Sequence, residues 1–158
     1  MTERTEYLNK LIEWKDEQVI KVVTGIRRCG KSTLLELYAD YLRSIGVADE
    51  QIIFINFEDL ENEHFLDYKV LYKHICDRLC KDKYTYIFLD EIQKVENFEK
   101  AVDSLYIKKN TDIYMTGSSK RMLSSCLFIT LHKDIVLCIQ KQYLVIDPGL
   151  IHRIQLFF

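Results

Sequence analysis

The chain has 158 residues, of which 48% are apolar and 29% charged, a balance that fits a single domain with its own core. Its 22 basic and 24 acidic residues give a net charge of −2, so the charge balance predicts neither a nucleic acid nor an anionic membrane as partner. The first residues do not resemble a signal peptide, and no segment has the roughly 18 consecutive apolar residues that span a bilayer. Five irregularly spaced cysteines favour reduced thiols in a cytoplasmic protein.

The predicted elements alternate between helix and strand along the chain. The helical spacing of apolar residues predicts helices at 6–14, 31–45, 69–81 and about 98–107, and one more that begins near Ser119. Short β-branched or apolar runs predict strands at 19–24, 51–56, 84–90 and 112–116. Because strand–helix–strand crossovers place helices on the faces of a sheet, the alternation predicts an α/β fold with a parallel sheet between two helical layers.

The strongest motif lies between the first predicted strand and the helix that follows it. Residues 25–32 read Gly-Ile-Arg-Arg-Cys-Gly-Lys-Ser and fit the phosphate-loop pattern G-x-x-x-x-G-K-[ST]. The glycines let backbone N–H groups approach phosphate oxygens, and the helix adds positive potential at its N-terminus. In this pattern Lys31 contacts the β- and γ-phosphates, and the Ser32 hydroxyl binds Mg²⁺. The predicted nucleotide-binding residues are Gly25, Arg27, Arg28, Cys29, Gly30, Lys31, Ser32 and Thr33.

A second motif is the apolar strand that ends in two acids, Asp90 and Glu91. The carboxyl ends of parallel strands meet at one edge of a sheet, so Asp90 is expected beside the phosphate loop. Mg²⁺ prefers a few carboxylate contacts and retained water molecules, which makes Asp90 a candidate for holding the metal. Glu91 is the candidate general base that polarises a water molecule for attack on the γ-phosphate.

Hydroxyl-bearing residues follow the fourth predicted strand. Ser118 is the first choice for a contact with the γ-phosphate or the attacking water, and Thr116 is the second. An alternative is that a serine here, Ser119 in particular, caps the next helix. Glu58 and Asp59 follow the second predicted strand, where a solvated loop is favoured over a place in the nucleotide cleft.

Together these motifs resemble the AAA-type ATPase domain of a prokaryotic ATPase family. The resemblance rests on residues 21–35, on Phe88-Leu-Asp-Glu-Ile-Gln93, on Tyr114-Met-Thr-Gly-Ser-Ser119 and on Met122-Leu-Ser-Ser125, and it covers about residues 6–125. Members of that family usually pair this domain with a C-terminal domain of unknown function.

The resemblance implies a P-loop NTPase three-layer sandwich in which the fourth strand lies between the first and the third. It also implies an ATPase assisted by a glutamate, with ATP and Mg²⁺ as ligands. Lys31 and Ser32 match the family's phosphate and magnesium residues, Asp90 and Glu91 match its two acids, and Ser118 matches its polar sensor.

The likeness ends after Ser125, so we expect a P-loop core at 1–125 and an atypical tail at 126–158. The tail lacks the Gly-Arg pair and the Pro-Leu-Ser-Phe segment usual in the family. The tail either completes the sheet or is not the family's own, through a frameshift or truncation that the other two reading frames of the gene would reveal. Arg121 and Arg153 follow the motifs, and the sequence identifies neither as an arginine that contacts the γ-phosphate.

The sequence therefore predicts an ATP-binding domain that hydrolyses ATP and couples nucleotide state to a protein partner, a second copy or a further domain. One alternative is a small P-loop phosphotransferase, against which stands the lack of an arginine cluster after Gly117. A GTPase is disfavoured because no Asn-Lys-x-Asp segment occurs. A further alternative is a nucleotide-binding module without turnover. Phosphate contacts alone leave adenine and guanine open.

Overall fold

The alternation of helices and strands is present in the computed structural model, which describes residues 3–25, 28–118, 135–139 and 142–146. Within these ranges the helices are α1 (Glu3–Glu13), α2 (Lys31–Ser44), α3 (Tyr68–Asp77) and α4 (Phe98–Tyr106). The strands are β1 (Ile20–Thr24), β2 (Ile52–Asn56), β3 (Thr85–Asp90), β4 (Thr111–Gly117), β5 (Ile135–Ile139) and β6 (Gln142–Ile146).

The strands form one sheet with the order β2-β3-β4-β1-β5-β6. Neighbours are parallel from β2 to β5, and β6 runs antiparallel to β5. Strand β4 lies between β3 and β1, which confirms the order implied by the resemblance. This order places the carboxyl ends of β1, β3 and β4 side by side, where the phosphate loop begins.

Each face of the sheet is covered by a pair of helices, because alternate residues of a strand point to opposite faces. One core joins strand residues such as Ile53, Ile87 and Met115 to α3 and α4. The other core joins Phe88 and Tyr114 to α1 and α2. The predicted three-layer α/β sandwich is thus confirmed. No helix within the described ranges combines the length and apolar character needed to span a membrane.

One predicted helix is too long. The spacing of apolar residues predicts a helix to residue 81, but α3 ends at Asp77. The Arg78 N–H donates to the Ile75 carbonyl over 3.0 Å, which tightens the last turn. The Cys80 N–H then donates to the Thr85 hydroxyl, 2.9 Å away, and leaves the helical ladder. The helix expected near Ser119 begins outside the described residues.

A buried ion pair lies at the opposite edge of the sheet, near the amino ends of β1 and β4. The Lys21 ammonium contacts Asp112 Oδ1 at 2.5 Å, and both side chains are almost fully buried. Asp112 Oδ2 accepts hydrogen bonds from the Asp16 N–H (2.9 Å) and the Tyr114 hydroxyl (2.8 Å). Burial lowers the pKa of Lys21 and raises the pKa of Asp112, and the opposite charges counteract both shifts only in part.

Candidate functional site

A cleft of about 370 Å³ opens at the carboxyl edge of the sheet. The loop after β1 and the first turn of α2 form one wall, and the residue that follows β3 lies across from them. This edge is where ligands bind in open α/β sheets, because loops rather than helices cover it. The residues that line the cleft are Arg28, Gly30, Lys31, Ser32, Thr33, Glu58 and Glu91.

The loop enters α2 through backbone conformations that are uncommon for residues with a Cβ. Gly30 precedes α2 with a φ of 92° and accepts the Leu34 N–H through its carbonyl at 3.0 Å. Arg28 has a φ of 67°, which costs a non-glycine residue on the order of 1–3 kcal/mol and is typical of ligand-binding loops. The first turn of α2 lines the cleft, and the N-terminus of a helix stabilises an anion.

Lys31 is buried in the cleft, where it contacts Gly25 and Glu91. Its ammonium donates to the Gly25 carbonyl over 3.3 Å and pairs with Glu91 Oε1 at 3.3 Å. The residue that the sequence assigns to phosphate binding thus lies against the residue assigned to water activation. An entering phosphate group would exchange one negative partner of Lys31 for another.

Glu91 is held by contacts of both its backbone and its side chain. Its backbone is left-handed, with φ 58° and ψ 44°, and its side chain is almost fully buried. Its second carboxylate oxygen, Oε2, accepts hydrogen bonds from Gln93 Nε2 (2.5 Å) and Ser118 Oγ (3.1 Å). Burial raises the pKa of Glu91, but the Gln93 hydrogen bond, the Lys31 charge and the Ser118 hydroxyl outweigh burial and leave the pKa below its usual value. Glu91 is therefore ionised at neutral pH, the state in which a carboxylate can accept a proton.

Asp90 is buried behind the cleft and keeps one oxygen unused. Its Oδ1 accepts a hydrogen bond from the Thr116 hydroxyl at 2.5 Å. Its Oδ2 is buried and has no hydrogen-bond partner among the described residues. A buried carboxylate oxygen without a partner is costly unless a cation or a metal-bound water satisfies it. Asp90 and the Ser32 hydroxyl are hard oxygen donors, so the residues present fit Mg²⁺.

The described residues contain no group of three or more His, Cys, Asp or Glu that could enclose a metal ion. Mg²⁺ does not require such a group, because it is usually bound by one or two protein oxygens together with substrate phosphates and water. A magnesium site shared with a nucleotide is the type that this donor set could form.

The structure places the predicted site residues as follows. The cleft is lined by Arg28, Gly30, Lys31, Ser32, Thr33 and Glu91. Two cleft residues, Lys31 and Glu91, are contacted by Gly25 and Ser118 respectively. Asp90 lies behind the cleft, and Arg27 is outside the described residues. Cys29 is a half-buried free thiol that is not part of the cleft lining. The roles assigned to all these residues stay predictions.

Three further residues belong to this site. Glu58, for which a solvated loop was the favoured interpretation, is exposed and also lines the cleft. Gln93 holds Glu91, and its signal in the sequence was its place in Leu-Asp-Glu-Ile-Gln. Thr116 was the second choice for a phosphate contact, but its hydroxyl bonds Asp90 and the Glu91 N–H instead.

Comparison with known proteins places this geometry in context. An uncharacterized protein of Haemophilus influenzae is 42% identical over 125 residues, which are 78% of this chain and 31% of that protein. An uncharacterized protein of Methanocaldococcus jannaschii is 30% identical over 130 residues, or 78% of this chain and 27% of that protein. The chain thus spans less than a third of the length of these two relatives.

The fold is also similar to a solved structure, that of PCH-2 from C. elegans. The TM-score is 0.56 at 15% identity, and the match covers 89% of this chain and 43% of PCH-2. A family model described as an AAA domain matches residues 17–147, which include the loop, both acids, and strands β5 and β6. Since that match covers most of its 158 residues, the chain belongs to the AAA domain family.

Proposed function

We propose that the chain binds ATP together with Mg²⁺ and hydrolyses the bond to the γ-phosphate. The observation that carries the proposal is the meeting of Lys31 and Glu91 at 3.3 Å inside the cleft. A phosphate-binding cation and an ionised general base then face the same small volume. The family and the phosphate-loop pattern support the same reading.

In this proposal the loop binds phosphate and Lys31 changes partner. The phosphate oxygens accept hydrogen bonds from the N–H groups of residues 25–33. Backbone N–H groups or side-chain charge are thus contributed by Gly25, Arg27, Arg28, Cys29, Gly30 and Thr33. The Lys31 ammonium turns from Glu91 Oε1 to the β- and γ-phosphate oxygens. This exchange releases Glu91 Oε1 to accept a hydrogen bond from water.

Glu91 then takes a proton from that water as the water oxygen bonds to the γ-phosphorus. The bond between the γ-phosphorus and the bridging oxygen breaks, ADP leaves with that oxygen, and the proton stays on Glu91 until solvent removes it. Ser118 keeps Glu91 oriented through the 3.1 Å hydrogen bond or donates to the γ-phosphate as a polar sensor.

Ser32 and Asp90 are the residues that would hold Mg²⁺, Asp90 through its unpartnered Oδ2. Mg²⁺ held by these residues would neutralise charge that accumulates on the phosphate oxygens. The other oxygen of this buried carboxylate, Oδ1, accepts a hydrogen bond from Thr116. In the proposed role, Mg²⁺ would be the partner that Oδ2 of Asp90 otherwise lacks among the described residues.

The test is phosphate release from ATP and Mg²⁺ by the purified chain, beside equilibrium binding of a fluorescent ATP analogue. Glu91→Gln should lower turnover by about 10²–10⁴-fold, the usual contribution of a general base, and leave binding in place. Lys31→Ala should abolish both binding and turnover, because the phosphate charge loses its buried counter-charge. Competition by unlabelled ATP and GTP reports the base preference.

Matched controls come from the surface of α1, where Lys10 and Glu13 form an exposed pair at 3.1 Å. Lys10→Ala and Glu13→Gln repeat the two chemical changes away from the cleft and should leave binding and turnover unchanged. Turnover in Glu91→Gln equal to that of the parent chain would remove Glu91 from the role of base. Binding retained in Lys31→Ala would contradict the phosphate site.

A second candidate is a nucleotide-binding module without turnover. One observation favours it: both oxygens of Glu91 are already engaged, by Lys31 on one side and by Gln93 and Ser118 on the other. Binding of ATP without phosphate release in the parent chain would support this candidate. Label from γ-labelled ATP that moves to a small acceptor rather than to water would indicate a phosphotransferase. Coupling to a protein partner, a second copy or a further domain is part of the proposal and follows from neither outcome alone.

A further inference from the structure

Thr116 occupies a position in β4 that connects the two acids of the site. Strand pairing sets Met115 opposite Leu89, so the next residue along β4 lies beside Asp90. The Thr116 side chain is fully buried. Its hydroxyl donates to Asp90 Oδ1 at 2.5 Å and accepts the Glu91 N–H at 2.9 Å.

The chemistry of the three groups fixes the direction of both hydrogen bonds. An ionised carboxylate only accepts and a backbone N–H only donates, whereas a hydroxyl has one hydrogen to give and two lone pairs. The single hydrogen of Thr116 is therefore used on Asp90. No hydrogen remains for a phosphate or a water molecule, which was the role considered for Thr116 from the sequence.

The hydrogen bond to Oδ1 sets the orientation of the Asp90 carboxylate. With Oδ1 held by Thr116, Oδ2 is the oxygen that stays buried without a partner among the described residues. Residues that hydrogen-bond a metal-binding carboxylate fix its orientation and contribute to metal affinity. Thr116 also has a β-branched side chain, whose χ1 is restricted, so the hydroxyl position is determined by the strand.

The hydrogen bond from the Glu91 N–H holds the backbone where the chain leaves β3. Glu91 has a φ of 58° there, and this left-handed turn directs its carboxylate toward Lys31, 3.3 Å away. One hydroxyl thus holds both the Asp90 carboxylate, through Oδ1, and the backbone N–H of Glu91.

We infer that Thr116 is a positioning residue that orients Asp90 for Mg²⁺ and Glu91 for the attacking water. The inference rests on the proposed function, since it assigns Thr116 to the Mg²⁺-dependent reaction. Thr116 touches neither nucleotide nor metal in this role and acts through the two acids.

The experiment compares Thr116→Val, which keeps the side-chain shape without the hydroxyl, with Thr116→Ser, which keeps the hydroxyl. The Mg²⁺ concentration that half-saturates ATP turnover should rise about 10–100-fold in Thr116→Val, the usual effect of losing such a partner. Thr116→Ser should stay within a few-fold of the parent chain. Binding of the fluorescent ATP analogue in EDTA should be the same in all three chains.

A second measurement needs neither metal nor nucleotide. Hydrogen exchange of the Glu91 amide, followed by NMR in the free chain, should be slow in the parent and Thr116→Ser and faster in Thr116→Val. A Thr116→Val chain with the parent's Mg²⁺ dependence would overturn the inference. Loss of ATP binding in EDTA would also overturn it, because Thr116 would then support the fold as a whole.

The two levels of failure are distinguishable. If the parent chain neither binds nor hydrolyses ATP with Mg²⁺, the proposed function fails and the role of Thr116 fails with it. If the parent chain is active and Thr116→Val matches it at every Mg²⁺ concentration, only the inference about Thr116 is overturned.

Discussion

At the scale of single residues, Gln93 is one of the groups that keep the candidate base ionised. Its amide Nε2 donates to Glu91 Oε2 at 2.5 Å, while its own Oε1 is buried without a hydrogen-bond partner among the described residues. A buried acceptor left unpaired costs about 1–3 kcal/mol. Gln93 therefore stabilises the ionised form of Glu91 at some expense to the stability of the fold.

We predict that Gln93→Met raises the pKa of Glu91. Burial already raises that pKa, and the Gln93 hydrogen bond leads the groups that lower it, so its removal shifts the balance upward. The acid limb of the pH profile of kcat/KM, which reports the free enzyme, should move to higher pH. A carbon-detected NMR titration of the Glu91 carboxyl in the free chain measures the pKa directly.

Gln18→Met on the exposed surface is the matched control and should leave the pKa of Glu91 unchanged.

The lowered pKa also makes ionised Glu91 a source of stability that is present above pH 4.5 and lost as the pH falls through the folded-state pKa. Gln93→Met should reduce this contribution. A Glu91 pKa that is equal or lower in Gln93→Met would contradict the prediction.

Removing the cation of the buried pair at the other edge should destabilise the chain strongly. We predict that Lys21→Met lowers the free energy of unfolding by about 3–5 kcal/mol near pH 8, because Asp112 loses the charge that offsets its burial. The folded-state pKa of Asp112 is raised above 3.8. Asp112 therefore contributes favourably to the free energy of unfolding below pH 3.8, and this contribution is lost as the pH rises through the folded-state pKa. The loss should therefore be smaller near pH 4.5.

Urea unfolding of Lys21→Met and the parent chain at the two pH values measures this difference. Lys10→Met is the matched control, since Lys10 is exposed on α1, and its effect should stay within about 0.5 kcal/mol. An equal loss for Lys21→Met at both pH values would mean that Asp112 does not take up a proton when Lys21 is absent.

The sequence predicts some site residues better than others for a physical reason. Lys31 and Ser32 belong to one contiguous sequence motif, at the start of α2, and the motif alone predicts their chemistry without tertiary information. The hydroxyl of Thr116 meets Asp90 only because β4 pairs with β3 in a particular register. Glu58 reaches the cleft through the end of β2. These contacts between residues of different strands depend on the assembled sheet, so no local pattern in the sequence predicts them.

At the scale of elements, α2 shows how a local rule fixes a boundary. Gly46 follows the helix with a φ of 96°. Its N–H donates to the Arg43 carbonyl and the Val47 N–H donates to the Leu42 carbonyl, each over 3.0 Å, the pair of bonds of a Schellman motif. The left-handed glycine therefore provides the turn that ends α2.

We predict that Gly46→Ala lowers the free energy of unfolding by roughly 1–2 kcal/mol, the cost of a Cβ in the left-handed region. A Cβ at Gly46 would meet nothing within 4 Å, so the effect comes from the backbone alone. Gly46→Asn should cost less, because Asn tolerates this conformation. Urea unfolding measures both, and ATP binding should be unchanged because α2 presents its other end to the cleft.

Equal stability of Gly46→Ala and the parent chain would show that the left-handed turn carries no strain.

The end of helix α3, in contrast to that of α2, is not marked by a local pattern. Its apolar spacing continues past Asp77, but the Thr85 hydroxyl takes the Cys80 N–H. That competitor comes from the next strand, so the helical pattern in the sequence overestimates the helix.

At the scale of the whole molecule, β1 is the strand on which the site depends. It pairs with β4 on one side and β5 on the other, and all five of its residues are buried. The phosphate loop leaves from its carboxyl end. The sequence predicts a boundary after Ser125. Strands β5 and β6 lie beyond that boundary, and the family match extends past it to residue 147. The contribution of residues 126–158 is therefore open to direct test.

We predict that a chain shortened after Ser125 loses much of its stability and aggregates. Without β5, β1 becomes an edge strand whose backbone N–H and C=O groups lack partners on one side, and unpaired edges promote association. A chain shortened after Ile146 keeps both strands and is the matched control. Urea unfolding and light scattering on the three chains measure the effect. If the chain that ends at Ser125 is as stable and as monodisperse as the control, β5 and β6 are dispensable and residues 1–125 fold alone. If it is not, a tail that departs from the family pattern is still required to complete the sheet around β1.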